Sequence, residues 1–224
     1  MYYNTDIEFW KGGMIMGNKI YTIGREFGSG GKDVGEALAK CLGIKLYDKE
    51  LLQRAAKESG FCEEIFENHD ERPTNSFLYS LVMDTYSSSG YTTAPFLDMP
   101  LNHKVFLAQF DAIKKIAAQE SCVIVGRCAD YALTDNPDCI NVFIHSDMEN
   151  RIKMVSKRGN LTENKARDML QKQDKQRASY YNYYTSKKWG DSTNYHLTLD
   201  SGKLGIEGCV DMILKFREIM DSQK

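Results

Sequence analysis

Apolar positions along this chain change period in a regular alternation, first the spacing of a strand and then that of a helix. Ile20-Tyr21-Thr22-Ile23 is a run of β-branched and aromatic residues. A glycine cluster follows, and then Val34, Ala37, Leu38, Cys41 and Leu42 fall at helical spacing. Gly43 supplies a helix stop. Ile44-Lys45-Leu46-Tyr47 predicts a second strand ending at Asp48, with a helix carrying Leu51, Leu52, Ala55 and Ala56 behind it. Phe106, Phe110, Ile113 and Ala117 form another helical stripe. Cys122-Val123-Ile124-Val125 and Ile140-Asn141-Val142-Phe143-Ile144 then read as continuous apolar strands of the kind covered on both faces. Helices around 147–157 and 162–184 precede a fifth, alternating strand at Tyr195-His196-Leu197-Thr198-Leu199, and Ile206, Val210 and Ile213 mark a closing helix. Five strands separated by helices predict an α/β fold in three layers, a mostly parallel sheet flanked by helices and joined by right-handed crossovers.

A chain of 224 residues suits a single domain with an insertion. The polar stretch from Phe61 to Met99 is too long for an ordinary connection and has no strand pattern, as expected of a binding element or a disordered segment. Residues 1–18 read as an optional extension or as an ordered arm packed through Trp10. They lack the basic-then-apolar layout of a signal peptide, and no segment approaches the roughly 20 apolar residues that cross a bilayer. A cytoplasmic protein with no membrane partner is expected. With 29 basic against 31 acidic residues there is no global field to gather nucleic acid, so an anionic ligand must be held by local charge. Six cysteines without a C-x-x-C pair predict reduced, mostly buried thiols. Oligomeric state leaves no signal.

Local charge first becomes specific at Gly28-Ser29-Gly30-Gly31-Lys32, between a predicted strand and a predicted helix. Small residues there let backbone N–H groups turn inward, and the helix start adds partial positive charge, which together bind phosphate oxygens. Lys32 is placed to reach terminal phosphates. A dinucleotide-binding loop is disfavoured, because the third position of G-x-G-x-x-G is Asp33. The Walker pattern departs at two places: Glu26 stands where the first glycine belongs, and Asp33 replaces the magnesium-binding hydroxyl. Asp33 either coordinates the ion, directly or through water, or simply favours the helix N-terminus as an anion.

Three blocks resemble the signatures of cytidylate-kinase-like proteins: Ile23-Gly24-Arg25-Glu26-Phe27-Gly28-Ser29-Gly30-Gly31-Lys32, Leu46-Tyr47-Asp48-Lys49-Glu50-Leu51-Leu52, and Cys122-Val123-Ile124-Val125-Gly126-Arg127-Cys128-Ala129-Asp130. Trp189-Gly190-Asp191 with Asn194-Tyr195-His196-Leu197 is similar to the same group. The resemblance spans about residues 19–215. It implies a P-loop kinase core over 19–224 with a helical acceptor-binding insertion at about 61–105 and a lid at about 151–190.

Phosphoryl transfer asks the protein mainly for cations that hold donor and acceptor in line. Arg127 follows the third strand at the carboxyl edge, where open α/β sheets bind ligands, and a guanidinium there can grip a phosphate with two parallel bonds. Cytidylate kinases hold the acceptor phosphate with a similar Gly-Arg pair but follow it with aspartate where this chain has Cys128; Asp130 is the candidate to compensate. The resemblance also implies that Arg54 helps hold the acceptor. Asp48 either orients it, binds magnesium through water, receives a proton or caps the following helix. Asp174-Lys175-Gln176-Arg177 resembles half of the family's lid motif, with Leu170-Gln171 replacing the preceding Arg-Asp, and Arg158 and Arg177 are the lid arginines. Tyr180, Tyr181, Tyr183, Tyr184 and Trp189 either stack on a base or pack together.

These readings converge on ATP as phosphoryl donor, with Mg2+, and on a small acceptor, foremost CMP or dCMP. Gly28, Ser29, Gly30, Gly31, Lys32 and Asp33 would hold the donor, and Asp48, Arg54 and Arg127 the acceptor. Lys32, Arg127, Arg158 and Arg177 would assist transfer. Base selectivity falls to the insertion that includes Asp70-Glu71-Arg72 and Ser76. Two other readings stay open: a different small-molecule acceptor, and a nucleotide-binding regulator without kinase activity.

Overall fold

A computed structural model describes residues 18–60, 63–71 and 99–223. The N-terminal extension up to residue 17 and most of the insertion, with Arg72 and Ser76, lie outside the described residues. The strands are β1 (Ile20–Arg25), β2 (Lys45–Tyr47), β3 (Cys122–Val125), β4 (Cys139–His145) and β5 (Leu197–Asp200). The helices are α1 (Gly31–Leu42), α2 (Lys49–Ser59), α3 (Glu63–His69), α4 (Leu101–Gln119), α5 (Ala129–Ala132), α6 (Met148–Gly159), α7 (Glu163–Thr185) and α8 (Ser201–Ser222).

The strands form one sheet in the order β2-β3-β1-β4-β5, with every pairing parallel. Side chains alternate between its faces, as the period of a strand requires. Ile20, Cys122 and Ile124 point into one core with Leu51, Phe66, Ile113 and Ile116 from α2, α3 and α4. Tyr21, Ile23, Val123 and Val125 point into the other with Val34 and Leu38 of α1 and Val210 and Ile213 of α8. The expected three-layer α/β fold is therefore present.

The fifth strand begins two residues later than its alternation predicts. Tyr195 instead packs its ring against Phe143 at 4.9 Å, and the edge is entered by His196, whose N–H donates to the Asn141 carbonyl at 2.8 Å. Part of the polar stretch after Phe61 is helical, as α3, which anchors through the fully buried Phe66. Beyond the sheet, α6 and α7 pair through Ile152, Val155, Ala166 and Leu170. Asp147 caps α6 by accepting from Asn150 N–H at 2.8 Å.

Candidate active site

β1 is central, with β3 and β4 on either side, so the chain leaves its carboxyl end at the point where crossovers diverge to opposite faces. There it turns through Gly28 and Gly30, both at φ +76° in the left-handed region that glycine enters without strain. A Cβ at Gly28 would press to 2.8 Å from Val155, so helix α6 lies directly over the loop. Ser29 Oγ donates to the carbonyls of Glu26 (2.9 Å) and Ile144 (3.0 Å), tying the loop to β4. Its own carbonyl accepts from Ser201 Oγ at the start of α8. Among the described residues no acceptor meets the N–H groups of Gly28, Gly30, Gly31, Lys32 and Asp33. Unpaired amides at a helix start are groups that phosphate oxygens can satisfy.

The two departures from the Walker pattern have visible structural uses. Glu26 accepts from Ser146 N–H at 3.1 Å and lies 3.5 Å from Arg151, so it pins the loop to the end of β4 and to α6. Asp33 pairs with Arg158 at 2.7 Å, bridging α1 to α6. No cluster of three potential metal-ligating side chains occurs among the described residues. Asp33 is the carboxylate nearest in sequence to the glycine loop, and its present partner is a cation.

Lys32 reaches from α1 to Asp48 at the end of β2 (3.1 Å), and that hydrogen bond holds its pKa above the ordinary value. Asp48 occupies the N-cap position of α2 but makes no capping bond. Its carboxylate is shared between Lys32 and Arg127. Burial would raise its pKa, but Arg127 and Lys32 outweigh that and hold it below the ordinary value.

Arg127 lies in a turn of consecutive left-handed residues, Gly126 (φ +78°), Arg127 (+53°) and Cys128 (+56°). A side chain at Gly126 would be strained by its left-handed backbone, and its Cβ would push aside the Arg25 guanidinium and the Glu71 carboxylate. The Arg127 side chain, 4 % exposed, bonds Asp48, the Val125 carbonyl (2.8 Å) and both oxygens of Asp70 (3.1 and 2.8 Å). Burial opposes its charge, but Asp70, Glu71 and Asp48 raise its pKa above the ordinary value.

Beside it, Glu71 accepts from Arg25 (2.7 and 3.4 Å), from Arg177 Nε (3.3 Å) and from the backbone N–H of Arg127 (3.3 Å). Its carboxyl is held well below the usual range: burial alone would push it up, and Arg25, Arg177 and Arg127 overcome that. Arg177 is pushed down to about 10 by burial and by the neighbouring Arg25 charge. It also donates to the Arg25 carbonyl (3.3 Å) and lies over the Phe27 ring, 5.4 Å from its centroid.

Helix α7 touches the loop through Asp174, which accepts from Phe27 N–H at 2.7 Å and from Arg151 at 2.5 Å. Arg151 closes the clasp by donating to the Phe27 carbonyl.

The structure thus gathers Lys32, Asp48, Arg127 and Arg177 at the carboxyl edge of the sheet, with Asp33 and Arg158 at the flank of the loop. It does not bring Arg54 to them. That guanidinium bonds Glu58 (3.0 Å) and Gln119 and lies 3.7 Å from Glu120, just ahead of β3 at the opposite edge. Asp130 does not compensate at Arg127 either: Tyr181 OH donates to it at 2.7 Å, away from that cluster. The tyrosines pack, with Tyr184 stacked on Phe106 at 4.0 Å and Tyr180 OH bonded to Gln109.

Sequence reasoning did not single out Arg25 or Arg151 as site residues, and it named Asp70-Glu71 only as part of the insertion expected to select the base. The rule that singled out Arg127, an arginine closing a buried strand, applies equally to Arg25 at the end of β1. No local signal marks Glu71, whose partners are 46, 56 and 106 residues away.

A glycine loop between β1 and α1, at the centre of a five-stranded parallel sheet with basic side chains gathered at its carboxyl edge, defines the P-loop kinase fold. Within that class the chain belongs to the cytidylate kinase-like family, whose model matches residues 20–203. It is similar to an uncharacterized protein from Eubacterium ventriosum of known crystal structure, with 34% identity and a TM-score of 0.67 over 89% of this chain and 98% of the other. The shikimate kinase from Bacteroides thetaiotaomicron shares the fold at 14% identity and TM-score 0.51, over 89% and 98% of the two chains. A comparison with curated proteins gives no match.

Proposed function

We propose that this protein transfers the γ-phosphoryl group of ATP to a small acceptor, with CMP or dCMP foremost. The observation that carries the proposal is the adjacency of two anion-binding places. The unpaired amides of Gly28 and Gly30–Asp33 form one, the arginines around Arg127 form the other, and Lys32 and Asp48 join them through a 3.1 Å ion pair. Family membership supports a phosphotransferase, and the acceptor is the finer part of the proposal.

In this reading the loop amides and Lys32 hold the donor phosphates, and Lys32 offsets the charge that develops as the phosphoryl group moves. Arg127 and Arg25 orient the acceptor, and Asp48 keeps Lys32 and Arg127 at a fixed separation. Helices α6 and α7 cover the loop and exclude water, with Arg177 and Arg158 reaching in from them. Magnesium needs only one or two protein carboxylates when phosphate oxygens and water fill its other positions. Asp33 would be the first of these, on release from Arg158. Unpaired thiols, four of them buried, and the lack among the described residues of a helix able to cross a membrane are compatible with the cytoplasmic setting we assign.

The test is ADP formation from MgATP across a panel of nucleoside monophosphates and of metabolites bearing free hydroxyl groups. Turnover greatest with CMP or dCMP is the expected result. Turnover restricted to a metabolite would replace the acceptor. ATP binding with no transfer to any acceptor would favour a regulatory nucleotide-binding role, a reading that the Glu26 and Asp33 replacements keep in view.

A further inference from the structure

The cluster of Arg25, Arg127 and Arg177 already holds anionic groups, and the protein itself provides them. Glu71 receives two guanidinium groups and a backbone N–H presented by the left-handed turn at 126–128, which is the donor set of an oxyanion site. Asp70 takes the bidentate face of Arg127, where a phosphate would present two oxygens. The arginines come from the end of β1, the β3–α5 turn and helix α7, all parts of the kinase core or its cover. The acids come from elsewhere: they follow the seven-residue helix α3, with Glu71 itself at φ +49°.

The charges match as well. Asp70 and Glu71 together carry about two negative charges, as does a phosphate monoester near neutral pH. With the acids in place, Arg25, Arg127, Arg177 and Lys32 face Asp48, Asp70 and Glu71, so one net positive charge is left for an incoming dianion. A purely structural role gives little reason for such a cluster, since buried ion pairs return little net stability compared with apolar packing.

From this geometry we infer that the Asp70–Glu71 turn is an internal surrogate for a phosphate monoester, and that such a ligand binds at Arg25, Arg127 and Arg177 by displacing it. The inference rests on the acceptor pocket proposed above and adds its mode of entry. Asp48 stays behind to hold Arg127 and Lys32, while the acids swing away with the turn after α3. Because the binding-competent state is only the fraction of molecules with the acids displaced, apparent affinity is lowered by that fraction.

Calorimetric titration with CMP and with inorganic phosphate, without ATP or magnesium, tests this directly. Glu71→Gln is expected to bind CMP at least about 10-fold more tightly than the wild type, as when the closed state exceeds nine-tenths of the population. The gain should persist in a Lys32→Ala background, which separates it from the glycine loop, and disappear when Arg25→Gln is added. A gain of the same size for inorganic phosphate assigns recognition to the phosphate group alone, and a larger gain for CMP adds the nucleoside; either supports the surrogate. Equal or weaker CMP binding by Glu71→Gln overturns it. If that variant does not fold, Asp70→Asn carries the same comparison. The readout needs no turnover: tighter binding without transfer would leave the surrogate intact and remove the kinase reading, and transfer without tighter binding would do the reverse.

Discussion

Replacing Arg127 with alanine separates the electrostatic role of this residue from its packing role. The side chain is 4 % exposed and is bonded to Asp48, Asp70 and the Val125 carbonyl. Its loss leaves two largely buried carboxylates short of a cation, though Lys32 still reaches Asp48 at 3.1 Å. Breaking one side of a buried ion pair costs about 3–5 kcal/mol. For a protein of this size each kcal/mol shifts Tm by roughly 2–4 °C, so a fall of about 6–20 °C is expected.

The pH dependence identifies the cause. The folded-state pKa of Asp48 is depressed in the wild type, so its stabilising contribution is complete above the unfolded value near ~4 and is lost as pH falls through the folded value. Without Arg127, the burial that opposes ionisation of Asp48 is answered mainly by Lys32, and protonation of Asp48 relieves the variant as pH drops. The difference in urea-derived unfolding free energy between wild type and Arg127→Ala should therefore be largest near pH 7 and shrink toward pH 4. A deficit below about 1 kcal/mol at pH 7, or one that is flat with pH, would refute the electrostatic account and leave only lost packing.

Two further outcomes follow from single side chains. Lys32 is half exposed, so Lys32→Ala should change unfolding free energy by less than about 0.5 kcal/mol while lowering kcat at least about 100-fold; a proportionate loss of both in denaturation and steady-state assays would make Lys32 a structural residue. Burial pushes the thiols of Cys122 and Cys139 up to about 12 and that of Cys128 well above the ordinary value, whereas Cys41 is exposed. Iodoacetamide at pH 7.5 followed by peptide mass mapping should find Cys41 modified well before those three; early labelling of Cys128 would show that its aromatic surroundings open.

The order of elements, the parallel sheet and the glycine loop between β1 and α1 were legible in the sequence because each depends on local pattern. Period-2 and period-3.6 spacing reports which face is buried, and the glycines at 28 and 30 report backbone conformations that other residues enter at a cost. A strand-end rule sufficed to place Arg127 at the carboxyl edge of the sheet. Arg54 shows the limit of spacing: six residues after Asp48 on a well-formed helix, it is carried around α2 to the amino edge of β3, because the rotation of a helix is set by what its apolar face packs against. The charge balance of the site was decided only by tertiary structure. Asp70 and Glu71 lie at the end of a short helix with no motif of their own, and they meet Arg25, Arg127 and Arg177 because three separate elements converge at one edge of the sheet. Coulomb attraction acts through space without regard to chain distance, so pairing across such separations leaves no periodic trace in the sequence.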